Sequence, residues 1–173
     1  LPSRWIGVLP LVLTALPVSG DDGPSTRPIP SEVVAYVQRT GDRAQVPEVV
    51  QSLASRLRKR SLPPKGPPTV IFYSDPGSTP PDMLFWEVRI PIGDIPPRQP
   101  GDDLPVLRSE AIARAACILR VARPGEPGPE VRTLRAWMKD QGLQVNGPWM
   151  EVHRDLPLDG AGPMELCFPV IPR

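Results

Sequence analysis

Apolar and polar positions follow two periods along this chain, and they do so twice. Val33, Val34, Ala35, Tyr36 and Val37 form a β-prone run that ends at a Thr40-Gly41-Asp42 turn. Pro47 then stands where a helix tolerates proline, at its first position. Val49, Val50, Leu53 and Leu57 recur behind it at helical spacing, up to a basic end at Arg56, Arg58, Lys59 and Arg60. Cations there complement the negative end of the helix dipole and read as a solvated helix end. A turn over residues 62–68 leads to an extended run at 69–73, a Pro/Gly-rich loop at 75–81 and a further run at 83–92. The order is strand, helix, strand, strand.

The second half has the same order. Residues 112–121 are apolar, and Pro129 opens a helix carrying Val131, Leu134, Trp137 and Met138 on one side, closed by Gly142 as a C-cap. A Gly147-Pro148 turn leads to an extended run at 149–154, a Pro/Gly loop and a last run at 164–170. The halves can be laid over one another. Gly66-Pro67 matches Gly147-Pro148, Phe72-Tyr73-Ser74-Asp75 matches Val152-His153-Arg154-Asp155, and Glu87-Val88-Arg89-Ile90-Pro91-Ile92 matches Glu165-Leu166-Cys167-Phe168-Pro169-Val170. Such self-similarity marks a duplicated unit, 31–98 and 104–173. One stretch resists: Ile112, Ala115, Ala116 and Leu119 have helical spacing and helix-favouring alanines. The duplication predicts a strand instead for at least residues 117–121, in the place of 33–37.

Composition sharpens this picture. The 27 prolines among 173 residues raise the question of disorder, but Leu, Ile, Val and Phe make up about a quarter of the chain, enough for a core. The prolines fall in turns and at the strand ends Pro91 and Pro169, where a missing donor is tolerated. A net charge of +1 offers no field for a polyanion and argues against nucleic acid as a partner. Two cysteines, Cys117 and Cys167, and one histidine, His153, are too few for a metal centre, so no metal and no cofactor is expected. Residues 5–20 are uncharged, follow Arg4 and end in small residues. That is the layout of a signal peptide on residues 1–20, with an uncleaved N-terminal anchor as the alternative. A periplasmic or secreted domain follows from either, behind a Pro/Gly-rich spacer at 21–30. Membrane contact is expected only through the anchor.

With the repeated Glu-x-x-x-Pro endings in view, the chain resembles the GyrI-like small-molecule-binding family, the effector-binding domain of AraC-type and MerR-type regulators. The likeness rests on the helix end at Gln141-Gly142-Leu143, the Asn146-Gly147-Pro148 turn, the Glu151-Val152-His153-Arg154-Asp155 run and the Met164-Glu165-Leu166-Cys167-Phe168-Pro169-Val170 close. It spans about residues 31–173. The resemblance implies an α+β fold: a tandem duplication of a strand-helix-strand-strand unit, one antiparallel sheet with two helices, and a groove between the repeats. It extends more distantly to the haem-binding SOUL proteins. The residues ahead of Ser31 are too few for a helix-turn-helix, so the resemblance is to the ligand-binding part alone.

The resemblance makes Glu165 a ligand-facing acid for a cationic or amphiphilic organic molecule, with Glu87 its counterpart in the first repeat. Glu165 shares a strand face with Cys167 and Pro169, and Glu87 with Arg89 and Pro91. Parity alone leaves open which face lines the groove, and Arg89 is placed to neutralise Glu87. Tyr73, Trp149 and Tyr36 are candidate aromatic lining, Trp137 reads as core, and His153 as a sheet-surface residue. Cys117 and Cys167 fall on the first and third strands of one repeat, where an exported protein could join them. Binding without turnover is the expected function. A hydrolase acting on strained or electrophilic molecules through Glu165, and haem or tetrapyrrole binding through His153, are the alternatives.

Overall fold

A computed structural model describes residues 23–96, 103–154, 158 and 160–173; the signal-peptide reading falls on residues outside these. The first repeat is β2 (Val33–Thr40), α1 (Val46–Lys59), β3 (Thr69–Phe72) and β4 (Phe85–Pro91). The second is β6 (Ile112–Ala122), α2 (Pro129–Asp140), β8 (Trp149–His153) and β9 (Gly162–Pro172). Three short strands are added: β1 (Ser25–Ile29), β5 (Val106–Arg108) and β7 (Leu143–Val145). All join one antiparallel sheet in the order β1-β6-β9-β8-β3-β4-β2-β5, with β7 pairing the end of β9. This is the expected α+β class. No helix among the described residues is long and apolar enough to cross a membrane.

Each repeat places its third strand between the first and second, so β3 and β8 meet at the centre. There Thr69 pairs with Val152 and Ile71 with Met150. The helices cover one face. On α1 the buried stripe is Val46, Val50, Leu53, Ala54 and Leu57, and on α2 it is Val131, Leu134 and Met138. Spacings of three and four residues put each set on one side of its helix. These side chains pack with Ala35, Val70, Phe72, Trp86, Val88, Ile90, Ala116, Ile118, Leu166 and Phe168 in one core, with Trp137 partly buried against it. Each fully buried Leu or Ile stabilises the fold by about 1.5–3 kcal/mol. The opposite face carries a smaller apolar cluster of Ile71, Ala115, Cys117, Met150 and Cys167, flanked by Ile29 and Ile112.

The strand that the duplication predicts over 117–121 forms and takes in all of 112–122, in spite of their helical spacing, because β6 pairs β9 along most of its length and alanine fits a strand hemmed in on both sides. The structure corrects the sequence reading at other points. Part of the presumed spacer is β1, which extends the sheet on the free edge of β6. Pro169 sits inside β9, opposite Ala115, not at its end. The overlay of the repeats also shifts. Gln38 opposes Glu87 and Leu119 opposes Glu165, so Gln38 corresponds to Leu119, Tyr36 to Cys117, and residues 33–37 to 114–118. In β8 the match is off by one residue: Phe72 corresponds to His153, both on the helix-covered face. A one-residue slip reverses the face of every side chain.

The repeated Gly-Pro and Glu-x-x-x-Pro signatures are one device seen twice. Lys65 N–H donates to Pro91 O at 2.8 Å, and Asn146 N–H to Pro169 O at 2.8 Å. The glycine that follows lies flat on the proline ring: a Cβ on Gly147 would come within 2.7 Å of Pro169 Cγ, and one on Gly66 within 3.3 Å of Pro91 Cγ.

Candidate functional site

Strand alternation carries Tyr36, Gln38, Ile71, Glu87, Arg89, Met150, Glu165 and Cys167 to the sheet face that the helices leave uncovered. A cavity of about 430 Å³ opens there, lined from the first repeat by Ile71, Tyr73 and Arg89 and from the second by Met150, Asn146, Gly147, Pro148 and Pro169. The segment between β4 and β6 closes its side with Leu107, Arg108, Ser109 and Glu110, joined by Ile112 at the start of β6. A smaller recess of about 40 Å³ continues from it toward Ile29 and Pro30. A separate hollow of about 460 Å³ lies beside the start of α1, between Asp42, Arg43, Arg123 and Glu126. It holds none of the residues expected in the site, and the groove is the better candidate because both repeats build it around an apolar floor.

Glu87 is 1 % exposed and fully engaged. It accepts from Gln38 Nε2 at 2.7 Å, from the Tyr73 hydroxyl at 3.3 Å and from Arg89 Nε. Arg89 Nη2 reaches the same Tyr73 oxygen at 3.4 Å. Tyr73 stacks on Phe85, ring centroids 5.1 Å apart, and stays 44 % exposed at the cavity wall. Partial burial, and then the Glu87 carboxylate, push its phenol above the ordinary tyrosine pKa. Tyr36 lies on the same sheet face, opposite Arg89, but does not line the cavity.

Glu165 is on this face too, with its side chain 22 % exposed. Both its oxygens are taken by Arg27 of β1: Nε donates to Oε1 at 3.0 Å and Nη2 to Oε2. This charged bond, the strongest influence on Arg27, raises the guanidinium pKa still further against the opposing effect of burial. Beside the pair lies a disulfide between Cys117 and Cys167, which face each other across β6 and β9 with Cα atoms 4.2 Å apart. The two sulfurs and a Glu165 oxygen lie within 4.8 Å of one another, but the disulfide occupies both sulfurs as metal ligands.

Two candidates lie on the other face. Trp149, expected to line the groove, is buried among the core aromatics, 6.5 Å from Phe72 and 5.7 Å from Phe168 by ring centroid. His153, expected on the surface, is 2 % exposed. Both share the parity of Glu151, the buried acid that sequence reading passed over. Glu151 accepts from Gly125 N–H and from Trp149 Nε1, each at 2.9 Å, and lies 3.7 Å from both Arg120 Nη2 and His153 Nε2. Arg120 donates to Glu126 O, so this cluster ties the loop before α2 to the sheet. The only histidine of the chain therefore cannot serve a tetrapyrrole in the groove. The residues that sequence reading missed on this face are Arg27, the partner of Glu165 in a proline-rich stretch, and Arg108, which lines the groove from the link between repeats; neither has a sequence signature.

No family model and no curated protein matches the chain in sequence. Solved structures match it in fold. An EcmrR–DNA complex aligns with a TM-score of 0.67 at 12% identity, covering 87% of this chain and 57% of that one. The chain thus spans little more than half of that protein. It covers 98% of the isolated EcmrR C-terminal domain, at a TM-score of 0.63 and 13% identity. A hydrolase from Listeria innocua aligns with a TM-score of 0.63 at 12% identity, over 87% of this chain and 92% of that one. At these identities the likeness is one of fold, and it is the fold that the resemblance implies.

Proposed function

We propose that the protein is a small-molecule-binding module of the GyrI-like kind that holds an amphiphilic organic ligand in the groove between its repeats. The observation that carries this reading is the cavity itself: about 430 Å³, built from both repeats, floored by Ile71, Met150 and Pro169 and edged by Tyr73 and Arg89. An apolar floor with a few convergent polar groups is the usual makeup of a ligand site. The match to the EcmrR C-terminal domain supports it. The expectation of a cationic ligand loses support, because each expected acid is already paired.

The Listeria innocua hydrolase of the same fold keeps a catalytic reading in view. Against it, Glu165 has both oxygens on Arg27 and does not line the cavity, and Tyr73 bonds Glu87 in its place. Binding without turnover is the better fit. We also place the domain outside the cytoplasm, secreted, periplasmic or anchored, since a disulfide persists in oxidising compartments. Titration with a neutral aromatic such as naphthol tests the binding reading. Saturable binding should be lost in Ile112→Trp, which fills the cavity mouth, and in Met150→Trp, while the far-UV spectrum and cooperative melting are kept. Unchanged binding in both folded variants would place the site elsewhere.

A further inference from the structure

We infer that the groove selects organic anions, a carboxylate or sulfonate joined to an aromatic or alicyclic body, with Arg89 and Arg108 receiving the anionic head. The inference rests on the groove-binding reading above and adds the charge of the ligand. Two guanidinium groups, Arg89 and Arg108, line the cavity, against one carboxylate, Glu110; a second acid, Glu32, lines the adjoining recess. Glu110 is exposed, as is Arg108. The acids carried by β4 and β9 on this face, Glu87 and Glu165, do not present themselves to a ligand. Glu87 is buried and accepts from three side chains, and Glu165 lies outside the lining with both oxygens on Arg27.

A cation in the groove would find Glu110, exposed at its side, but could reach Glu87 only by breaking the existing pair with Arg89. An anion meets donors that are still available. Arg89 directs Nε to Glu87 and one Nη2 contact to Tyr73, and a guanidinium carries five N–H groups. Planar N–H pairs suit the two oxygens of a carboxylate or sulfonate. The hydroxyl of Tyr73, already oriented by Glu87 and Arg89, stands beside this head position. Ile71, Met150 and Pro169 supply the floor for an apolar body.

Two probes with one ring and opposite charge decide the matter: naphthalenesulfonate and naphthylmethyl-trimethylammonium, titrated calorimetrically into the disulfide-intact protein. The anion should bind at least about 10-fold tighter, with an affinity that falls as salt is raised. Arg108→Glu, at an exposed position where folding is not at risk, should weaken the anion about 10-fold, or about 1.4 kcal/mol, and narrow or reverse the preference. Arg89→Lys, which keeps the charge but removes the planar fork, should also weaken it. Equal or tighter binding of the cation by the wild type overturns the charge assignment and leaves groove binding standing. So does anion binding that ignores both substitutions. Failure of both probes and of naphthol overturns the groove-binding reading itself.

Discussion

The two repeats hold equivalent glutamates in different ways. In the first, Glu87 finds its partners nearby: Gln38 directly across the strand pair and Arg89 two residues further along its own strand. In the second, the corresponding positions are Leu119 and Cys167, which cannot neutralise a carboxylate. Glu165 is instead served by Arg27, from a strand outside the duplicated unit. The Tyr36–Arg89 pair of the first repeat becomes the Cys117–Cys167 disulfide of the second. The two halves share the backbone plan and the acid, but each carries the charge in its own way. The acid is thus an internal counter-ion in both halves, and the groove's chemistry passes to the arginines.

The contrast can be broken at its covalent end first. The disulfide spans a sequence separation of 50 residues, and the loop-entropy account assigns such a link about 4 kcal/mol. Cys117→Ser with Cys167→Ser should lower the denaturation midpoint by a corresponding amount, and a reductant should do the same to wild type. A melt insensitive to both would mean that the second repeat draws no stability from the link. The next largest effect concerns the acid pairs. Arg89→Ala leaves the buried Glu87 without its ion-pair partner, at a cost of about 2–3 kcal/mol, below the full buried-pair range because Arg89 is itself partly exposed. Arg27→Ala removes a part-buried pair whose two side chains are both more exposed than those of the Arg89–Glu87 pair, and should cost less, about 1 kcal/mol. Urea unfolding of the two variants checks the order; equal losses would contradict the difference drawn between the repeats.

The smallest effect is a titration. Tyr73 has its phenol pKa raised in the fold by burial and by Glu87, so the folded state favours the neutral form. Stability from this source is complete below the ordinary tyrosine pKa and is lost as pH rises through the raised one. Ultraviolet difference absorbance should show a phenolate step displaced to higher pH that disappears in Tyr73→Phe. Persistence of that step in the variant would assign it elsewhere.

Much of the fold was legible because the signatures that repeat are backbone devices. Gly147 must lack a Cβ to lie against Pro169, and Gly66 leaves little room for one against Pro91, so the sequence records that contact twice. Gly142, with φ of 64°, closes α2 where only glycine is comfortable, and Ser61 takes the same turn at the end of α1 with φ of 55°. The site was less legible. Parity separates Glu165 from Leu166 but does not say which face the helices cover, and a slip of one residue in β8 sent Trp149 and His153 to the wrong side. Arg27 left no periodic signal, since its strand is short and ends beside prolines. A long-range ion pair between residues 27 and 165 is fixed by sheet order, which local patterns do not encode.

The central claim is that ligand is held on the uncovered face of the sheet, and the four methionines report on it directly. Met150 lines the groove, Met138 and Met164 are buried on the helix-covered face, and Met83 is exposed. With the methionine methyls carbon-13 labelled, titration with naphthalenesulfonate should shift the Met150 resonance, progressively and saturably, and leave Met138 and Met164 in place. A shift of Met138 or Met164 with Met150 unmoved would contradict the account.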